Sequence, residues 1–194
     1  MLLSILIPSI PERIEKAMKL YNKLLAQIGD EPVEVLLLMD NRKRSIGAKR
    51  NDLKDMAKGL YWAFCDDDDD ISDNYIERII DSIISNQLDS STNLMPDVIT
   101  FNQIANINNV PYPVKFGLNN DNEELNEQLT LRQPFHVCAW LNEKFKDCKF
   151  GDSNYGEDAI FVQQACSIAT VEYHIDEVLH IYKFNSDLSR AENG

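Results

Sequence analysis

Leu60-Tyr61-Trp62-Ala63-Phe64-Cys65, then Asp66-Asp67-Asp68-Asp69-Asp70, then Ile71-Ser72-Asp73-Asn74-Tyr75-Ile76 is the stretch that decides the reading of this chain. An unbroken apolar run of this length fits a strand buried on both faces, the parallel-sheet type. After the carboxylates, apolar residues return at helical spacing in Ile71, Tyr75, Ile76, Ile79, Ile80, Ile83 and Ile84. The stretch therefore predicts a buried strand, an acidic loop and an amphipathic helix. The acids would stand at the carboxyl end of the strand, where open α/β sheets bind their ligands. Five adjacent carboxylates span roughly 15 Å at full extension. Their repulsion must be relieved by water, by bases or by a cation, and carboxylate oxygens suit magnesium, manganese or calcium. The competing reading is a solvated loop that binds nothing. The strand and helix that would hold the loop in place weigh against it.

Toward the amino terminus, Leu2 to Ile7 reads as another buried strand, ended by Pro8, which cannot donate to a ladder. Ser9-Ile10-Pro11-Glu12-Arg13 turns into a helix with Pro11 near its first position. Its apolar stripe is Ile14, Ala17, Met18, Tyr21, Leu24, Leu25 and Ile28, and Gly29-Asp30-Glu31-Pro32 stops it. Val33 to Leu38 is the next strand and ends in Met39-Asp40-Asn41. Strand, helix and strand of this length form one βαβ unit, so the sheet is expected to be parallel. Arg42 to Ile46 is a basic loop, and Gly47-Ala48-Lys49-Arg50-Asn51 opens a helix running to about Lys58, with Gly59 as its cap. The helix after the acidic loop is expected from Ser72 to near Gln87.

The rest is less regular. Leu88 to Pro96 reads as a loose polar loop and Asp97 to Phe101 as a strand that continues weakly to Asn109. Val110 to Phe116 carries Pro111 and Pro113, which suits an edge strand. Gly117 to Glu127 is a loop or the turn of a long hairpin. Phe135 to Phe145 and Glu157 to Ala169 read as helices, Val171 to Phe184 as a strand or hairpin, and Asn185 to Gly194 as a frayed end. At 194 residues the chain is read as one α/β domain, 1–194, with a regular front half, 1–87, and a loop-rich back half, 97–184.

The formal charge of −13 argues against nonspecific binding to nucleic acid or to anionic membranes, although bases do cluster at Arg42, Lys43, Arg44, Lys49 and Arg50. Cys65, Cys138, Cys148 and Cys166 match no zinc spacing and are read as reduced thiols of a cytoplasmic protein. The apolar amino terminus lacks a basic region and a cleavage site, so it is not read as a signal peptide. No run is long enough to span a bilayer.

Several polar features fall at strand ends on one sheet edge, joined later by Asn154-Tyr155-Gly156-Glu157-Asp158 at the start of a helix and by His180-Ile181-Tyr182. Together they resemble the family 2 glycosyltransferases of the GT-A fold, a Rossmann-like, mostly parallel sheet flanked by helices. The matching pieces, between Leu3 and Phe184, are Ser4-Ile5-Leu6-Ile7-Pro8-Ser9, Val35-Leu36-Leu37-Leu38-Met39-Asp40, Gly47-Ala48-Lys49-Arg50-Asn51, Phe64-Cys65-Asp66-Asp67-Asp68-Asp69 and Gly156-Glu157-Asp158. The resemblance implies a nucleotide-sugar donor, a UDP-sugar for preference, bound by the front half. Ser9 and Asp40 would line the base and ribose pocket and Arg50 would sit beside the base or diphosphate, with Pro8, Ile10, Arg13, Lys49 and Asp67 in the same donor site. Asp66 and Asp68 look like the Asp-x-Asp motif, with Asp66 toward the ribose and Asp68 on a metal, Mn2+ or Mg2+; Asp67 with Asp69 is the other frame. Asp158, beside Glu157, looks like the catalytic base, His180 like a further metal ligand, and Trp140 is a possible acceptor platform. The second strand departs from the family pattern by ending in Asp40-Asn41-Arg42 rather than in two acids.

The chemistry asks for the same groups. An attacking hydroxyl needs a base, a leaving diphosphate gains charge that a divalent cation stabilises, and one displacement inverts the anomeric centre. The alternatives are a nucleotidyltransferase acting on a sugar phosphate and a non-catalytic metal- or nucleotide-binding module. The loop from Pro8 to Arg13 has no glycine, which counts against the nucleotidyltransferase. The acceptor is expected to be a glycan or a small molecule. A DNA base is disfavoured by the charge, and no oligomeric state is assigned.

Overall fold

The computed structural model describes residues 1–88 and 94–185. A nine-stranded sheet runs through it. Its first strand, β1 (Leu3–Ser9), is buried at every position. It pairs in parallel with β2 (Val33–Met39) on one side and β3 (Tyr61–Phe64) on the other. The helices α1 (Ile14–Ile28), α2 (Ile46–Met56) and α3 (Tyr75–Leu88) make the crossovers. Alternation sorts β3 between two cores. Tyr61, Ala63 and Cys65 pack with Ile76, Ile79 and Ile83 of α3, while Trp62 and Phe64 pack with Leu53 of α2 and Phe161. A strand whose odd and even residues are both apolar can be covered on both faces, which is why this run specifies a central strand.

The second half adds β4 (Asp70–Ile71), β5 (Val98–Ile107), β6 (Val110–Phe116), β7 (Thr130–Arg132), β8 (Ala139–Leu141), a short α4 (Asn142–Phe145), α5 (Glu157–Ile168) and β9 (Glu172–Phe184). The path through the sheet is β2-β1-β3-β8-β5-β6-β7, with β9 parallel to β5 and antiparallel to β4. The α/β sheet with flanking helices is thus as expected, and its parallel pairings lie in two places, among the first three strands and between β5 and β9, with a short one between β6 and β7. The carboxyl ends of those strands bring Ser9, Met39-Asp40 and Cys65-Asp66 to one edge, because Ser9 is in register with Met39 and Leu6 with Phe64.

Several local expectations are corrected. Phe135 to Phe145 is not one helix: Ala139–Leu141 is inserted antiparallel between β3 and β5, and only Asn142–Phe145 is helical. Pro8 does not end β1, since the pairing with β3 stops at Leu6 and a missing N–H beyond it costs no ladder bond on that side. The exposed flank of α1 takes Ile14, Met18 and Leu25, so its buried stripe is Ala17, Leu20 and Leu24. The loop after β6 leads into β7, which runs parallel to β6, so it is no hairpin. Val171 to Phe184 is one strand rather than a hairpin. The edge position of Pro111 and Pro113 holds, because β7 pairs only with Val114–Phe116. The frayed end expected for Asn185 to Gly194 lies outside the described residues after Asn185, as does 89–93 of the expected polar loop.

Gly59 is not a helix cap; α2 ends at Met56 and Ala57 is its C-cap. Glycine is needed at 59 for close approach, since a Cβ there would meet the backbone of β1 at 2.5 Å from Ser4 N and 2.7 Å from Leu3 C. Gly59→Ala must push two backbones apart and is expected to lower stability by about 2 kcal/mol. Urea unfolding measures this, and an unchanged midpoint would show that the segment does not pack against β1 in this way.

Candidate active site

Five adjacent aspartates are tolerated because they turn toward several partners, only Asp67 and Asp68 sharing one base. Asp67 accepts from the Ser9 hydroxyl at 2.6 Å and from Arg13 at 3.1 Å. Asp68 accepts from the same Arg13 nitrogen at 2.9 Å. Asp69 turns the other way, 3.3 Å from Nε2 of His180, and accepts the Lys183 backbone N–H at 3.0 Å. Asp70 pairs with Lys23 and Lys183. The bases come from the β1–α1 turn, from α1 and from β9, so the run is a junction between elements rather than a solvated loop.

A cleft of about 430 Å³ opens beside this run. Pro8, Ser9, Ile10, Arg13, Lys49, Arg50, Asp66, Asp67 and Asp68 line it, together with Arg42, Arg44 and Tyr155. Asp40 does not line it. Its carboxylate is spent on Lys49 at 3.0 Å, on Arg44 Nε at 3.2 Å and on the Arg42 N–H at 3.1 Å. These partners outweigh burial and lower its pKa. Lys49, almost wholly buried, also donates to the carbonyl of Ser9 at 2.8 Å, so it ties the ends of β1 and β2 together behind the cleft.

Arg50 holds the centre. It is 4% exposed, yet it donates to Asp66 at 3.0 Å, lies 3.4 Å from Glu157, and faces the rings of Phe64 and Phe150 at 5.1 and 5.8 Å. Burial opposes the ionisation of Asp66, but the Arg50 charge, with His136 3.8 Å away, holds that carboxyl far below the usual range. The same carboxylates offset the burial of Arg50 and keep it charged. Glu157 is therefore occupied by Arg50, which separates it from its neighbour Asp158.

On the far side of the Arg50–Asp66 pair lies a second cleft of about 400 Å³. Asp158 lines it from the first turn of α5, after Gly156 has set the left-handed turn at φ 70°. One carboxylate oxygen accepts the Ala159 N–H at 2.8 Å, and the other is 3.7 Å from Nδ1 of His136. His136 also lines this cleft. It stands between Asp66 and Asp158, 3.8 and 3.7 Å away, with both ring nitrogens buried and beyond hydrogen-bond distance of either. No local pattern marks it; only the fold brings its partners together. Asn154 and Tyr155 also touch both clefts, and Asn154 accepts the Ile46 N–H that opens α2 at 3.0 Å. Trp140 is corrected: it is fully buried, packs edge-on against Phe145 and Phe161, and donates to the Phe135 carbonyl at 2.9 Å. It offers no face to an acceptor.

Among the described residues no group of three or more His, Cys, Asp or Glu side chains forms a metal cage. His180 is fully buried between Gln103 and Asp69, so the structure pairs it with Asp69 rather than with Asp68. Asp68 faces the first cleft, and one oxygen of Asp66 is buried without a partner. Burial pushes Asp68 up to about 6, the charges of Asp69, Asp66 and Asp67 adding to it against Arg13. Excess negative charge on hard oxygens suits Mg2+ or Mn2+. Such ions bind through one or two protein carboxylates and complete their shell with phosphate and water, so a full protein cage is not required.

The sheet, the acidic edge and the helices that flank them define the GT-A glycosyltransferase fold. The chain is similar to S. aureus TarS residues 1–349, with a TM-score of 0.63 at 14% identity over 94% of this chain and 60% of that one. The same TarS fragment in complex with UDP-GlcNAc gives a TM-score of 0.62 at 14% identity over 96% of this chain and 59% of that one. With UDP the values are 0.61 and 15% over 95% and 60%. The chain thus spans about three fifths of the length of these structures, and identity at this level establishes the fold alone. No family model and no curated protein matches the sequence. No helix among the described residues is long and apolar enough to cross a membrane.

The raised Asp68 has a consequence for stability. Between its ordinary 3.8 and about 6 the folded state binds the extra proton, so stability is lost as pH rises through that window. Asp68→Asn is therefore expected to be more stable than the parent chain at pH 7.5 without metal, and the difference is expected to vanish below about pH 4. Denaturant titrations in chelator at several pH values measure it. A variant no more stable at neutral pH would show that Asp68 carries no uncompensated charge.

Proposed function

We propose that this chain is a glycosyltransferase that moves a sugar from a nucleotide-sugar, a UDP-sugar for preference, to an acceptor hydroxyl with inversion. One observation carries the reading. A charged cleft at the carboxyl ends of three parallel strands meets, across the Arg50–Asp66 pair, a second cleft that presents Asp158. The likeness to TarS, solved with UDP-GlcNAc and with UDP, supports a nucleotide-sugar in the first of them.

In this reading the donor lies in the first cleft, with Pro8, Ser9 and Ile10 along its wall. Arg13, Arg42 and Arg44 supply positive charge for a diphosphate. Asp66, fixed by Arg50, stands at the boundary where the sugar would pass from one cleft to the other. Asp158 takes the proton of the attacking hydroxyl. Its carboxylate is oriented by the Ala159 N–H, and the positive end of α5 favours the anion. His136 on its other side limits the positions that the carboxylate can take. Glu157 acts at one remove, by holding Arg50. A divalent cation, Mg2+ or Mn2+, would be held by Asp68 with the diphosphate, and when bound it neutralises charge on the leaving group. The acceptor, a glycan or a small molecule, would enter through the second cleft.

Two substitutions test the assignment. Asp158→Asn is expected to lower transfer from UDP-GlcNAc by about 10³-fold while donor binding, read by calorimetry, persists. A near-normal rate would remove Asp158 from the mechanism. Asp68→Ala is expected to abolish the manganese-dependent part of the thermal shift produced by UDP. An unchanged manganese response would place the cation elsewhere.

A further inference from the structure

The second cleft contains one cation without a counter-ion. Arg132 closes β7, where its backbone is clamped by pairing with Phe116 and by accepting the Gly117 N–H at 2.9 Å. Its side chain lines the cleft that holds Asp158, and its Nε is buried with no hydrogen-bond partner. Each of the other arginines among the described residues, at 13, 42, 44, 50 and 78, lies within 4.0 Å of a carboxylate. Arg132 has no such neighbour among the described residues, although the chain carries 32 acids against 19 bases.

A half-buried guanidinium without an anion is costly unless a ligand supplies one. Its planar fork matches a phosphate or a carboxylate at two points. Around it the wall is apolar, built from Val114, Phe116, Leu125, Phe135 and Val137. Such a wall suits the hydrophobic face of a ring; Asp66, Asp69, Glu157 and Asp158 also line the cleft, and none of them is paired with Arg132. The geometry points to an acceptor that carries an oxyanion: its phosphate or carboxylate pairs with Arg132 while its hydroxyl is offered to Asp158. This rests on the reading of the second cleft as the acceptor side. It narrows the acceptor from any glycan or small molecule to an acidic one, phosphorylated or uronic in type.

The test uses the full chain and three simple probes: glucose, glucose 6-phosphate and glucuronate. Binding is measured by calorimetry with and without saturating UDP, which occupies the donor cleft and its arginines. Both anions, or one of them, are expected to bind at least about tenfold more tightly than glucose, as one hydrogen bond to a charged group provides. The two arms separate phosphate from carboxylate as the source of the charge. In Arg132→Gln that preference is expected to disappear, and in Arg132→Lys to survive in part, because the charge remains and the fork is lost. Glucose binding as well as its anionic derivatives, or anions binding Arg132→Gln as tightly as the parent chain, would overturn the proposal. UDP binding by Arg132→Gln checks that the variant is folded. Anion binding that depends on Arg132 in a chain that binds no UDP would leave this subsite standing and remove the donor reading instead.

Discussion

The buried pair of Arg50 and Asp66 is the interaction on which the rest of the site depends. A guanidinium 4% exposed to solvent has to be compensated inside the protein. The compensation comes from two places distant in the chain: Asp66 at the end of β3, and Glu157 at the start of α5. Rings of Phe64 and Phe150 close over its faces. Removing any member leaves an uncompensated charge in the core, so the position of α5 relative to the sheet edge is narrowly constrained. Asp158 follows Glu157 directly, and its place in the second cleft is therefore a consequence of where Arg50 puts Glu157.

The loops that complete the site are tied down by the same logic. Ser45 caps α2 by accepting the Ala48 N–H at 3.0 Å and donates to Asp152 at 2.5 Å. Gly47 lets the backbone of Gly151 come so close that a Cβ would lie 1.7 Å from its carbonyl oxygen. The segment before α5 is thus fastened to the amino end of α2, which also carries Lys49 and Arg50. One helix positions the two bases, Lys49 and Arg50, that line the first cleft and the loop that leads to Asp158. This explains how a chain rich in loops can still hold a two-cleft site on a rigid frame.

The front half was legible because its signals are local. A strand covered on both faces is written as an apolar run, and the turn residues around it fix where the polar groups emerge. Hence Ser9, Arg13, Lys49, Arg50, Asp66, Asp67 and Asp68 were all placed on one edge, and the structure brings them into one cleft. Asp40 misled because a strand-end acid next to a basic loop reads alike whether it faces a ligand or braces that loop. Phe135 to Phe145 misled because β8, only three residues long, is too short to show a period of two. Trp140 is buried for the same reason: it belongs to the strand inserted between β3 and β5. His136 and Arg132 had no legible signal. What makes them notable is the partners they have or lack, and those are set by tertiary packing alone.

The acidic run shows how far composition can mislead about charge. Five successive aspartates suggest a single anionic patch, yet the backbone sends them in different directions. Asp66 and Asp67 are paired toward the first cleft, while Asp69 and Asp70 are paired toward β9 and α1. Asp68 shares Arg13 with Asp67, so one guanidinium faces two carboxylates there. The balance at that point is short by one positive charge, and Asp68 alone of the run combines that deficit with an open side toward the cleft. A cation bound there would act on a local excess that the surrounding pairs have already isolated, rather than on the diffuse field of the whole cluster.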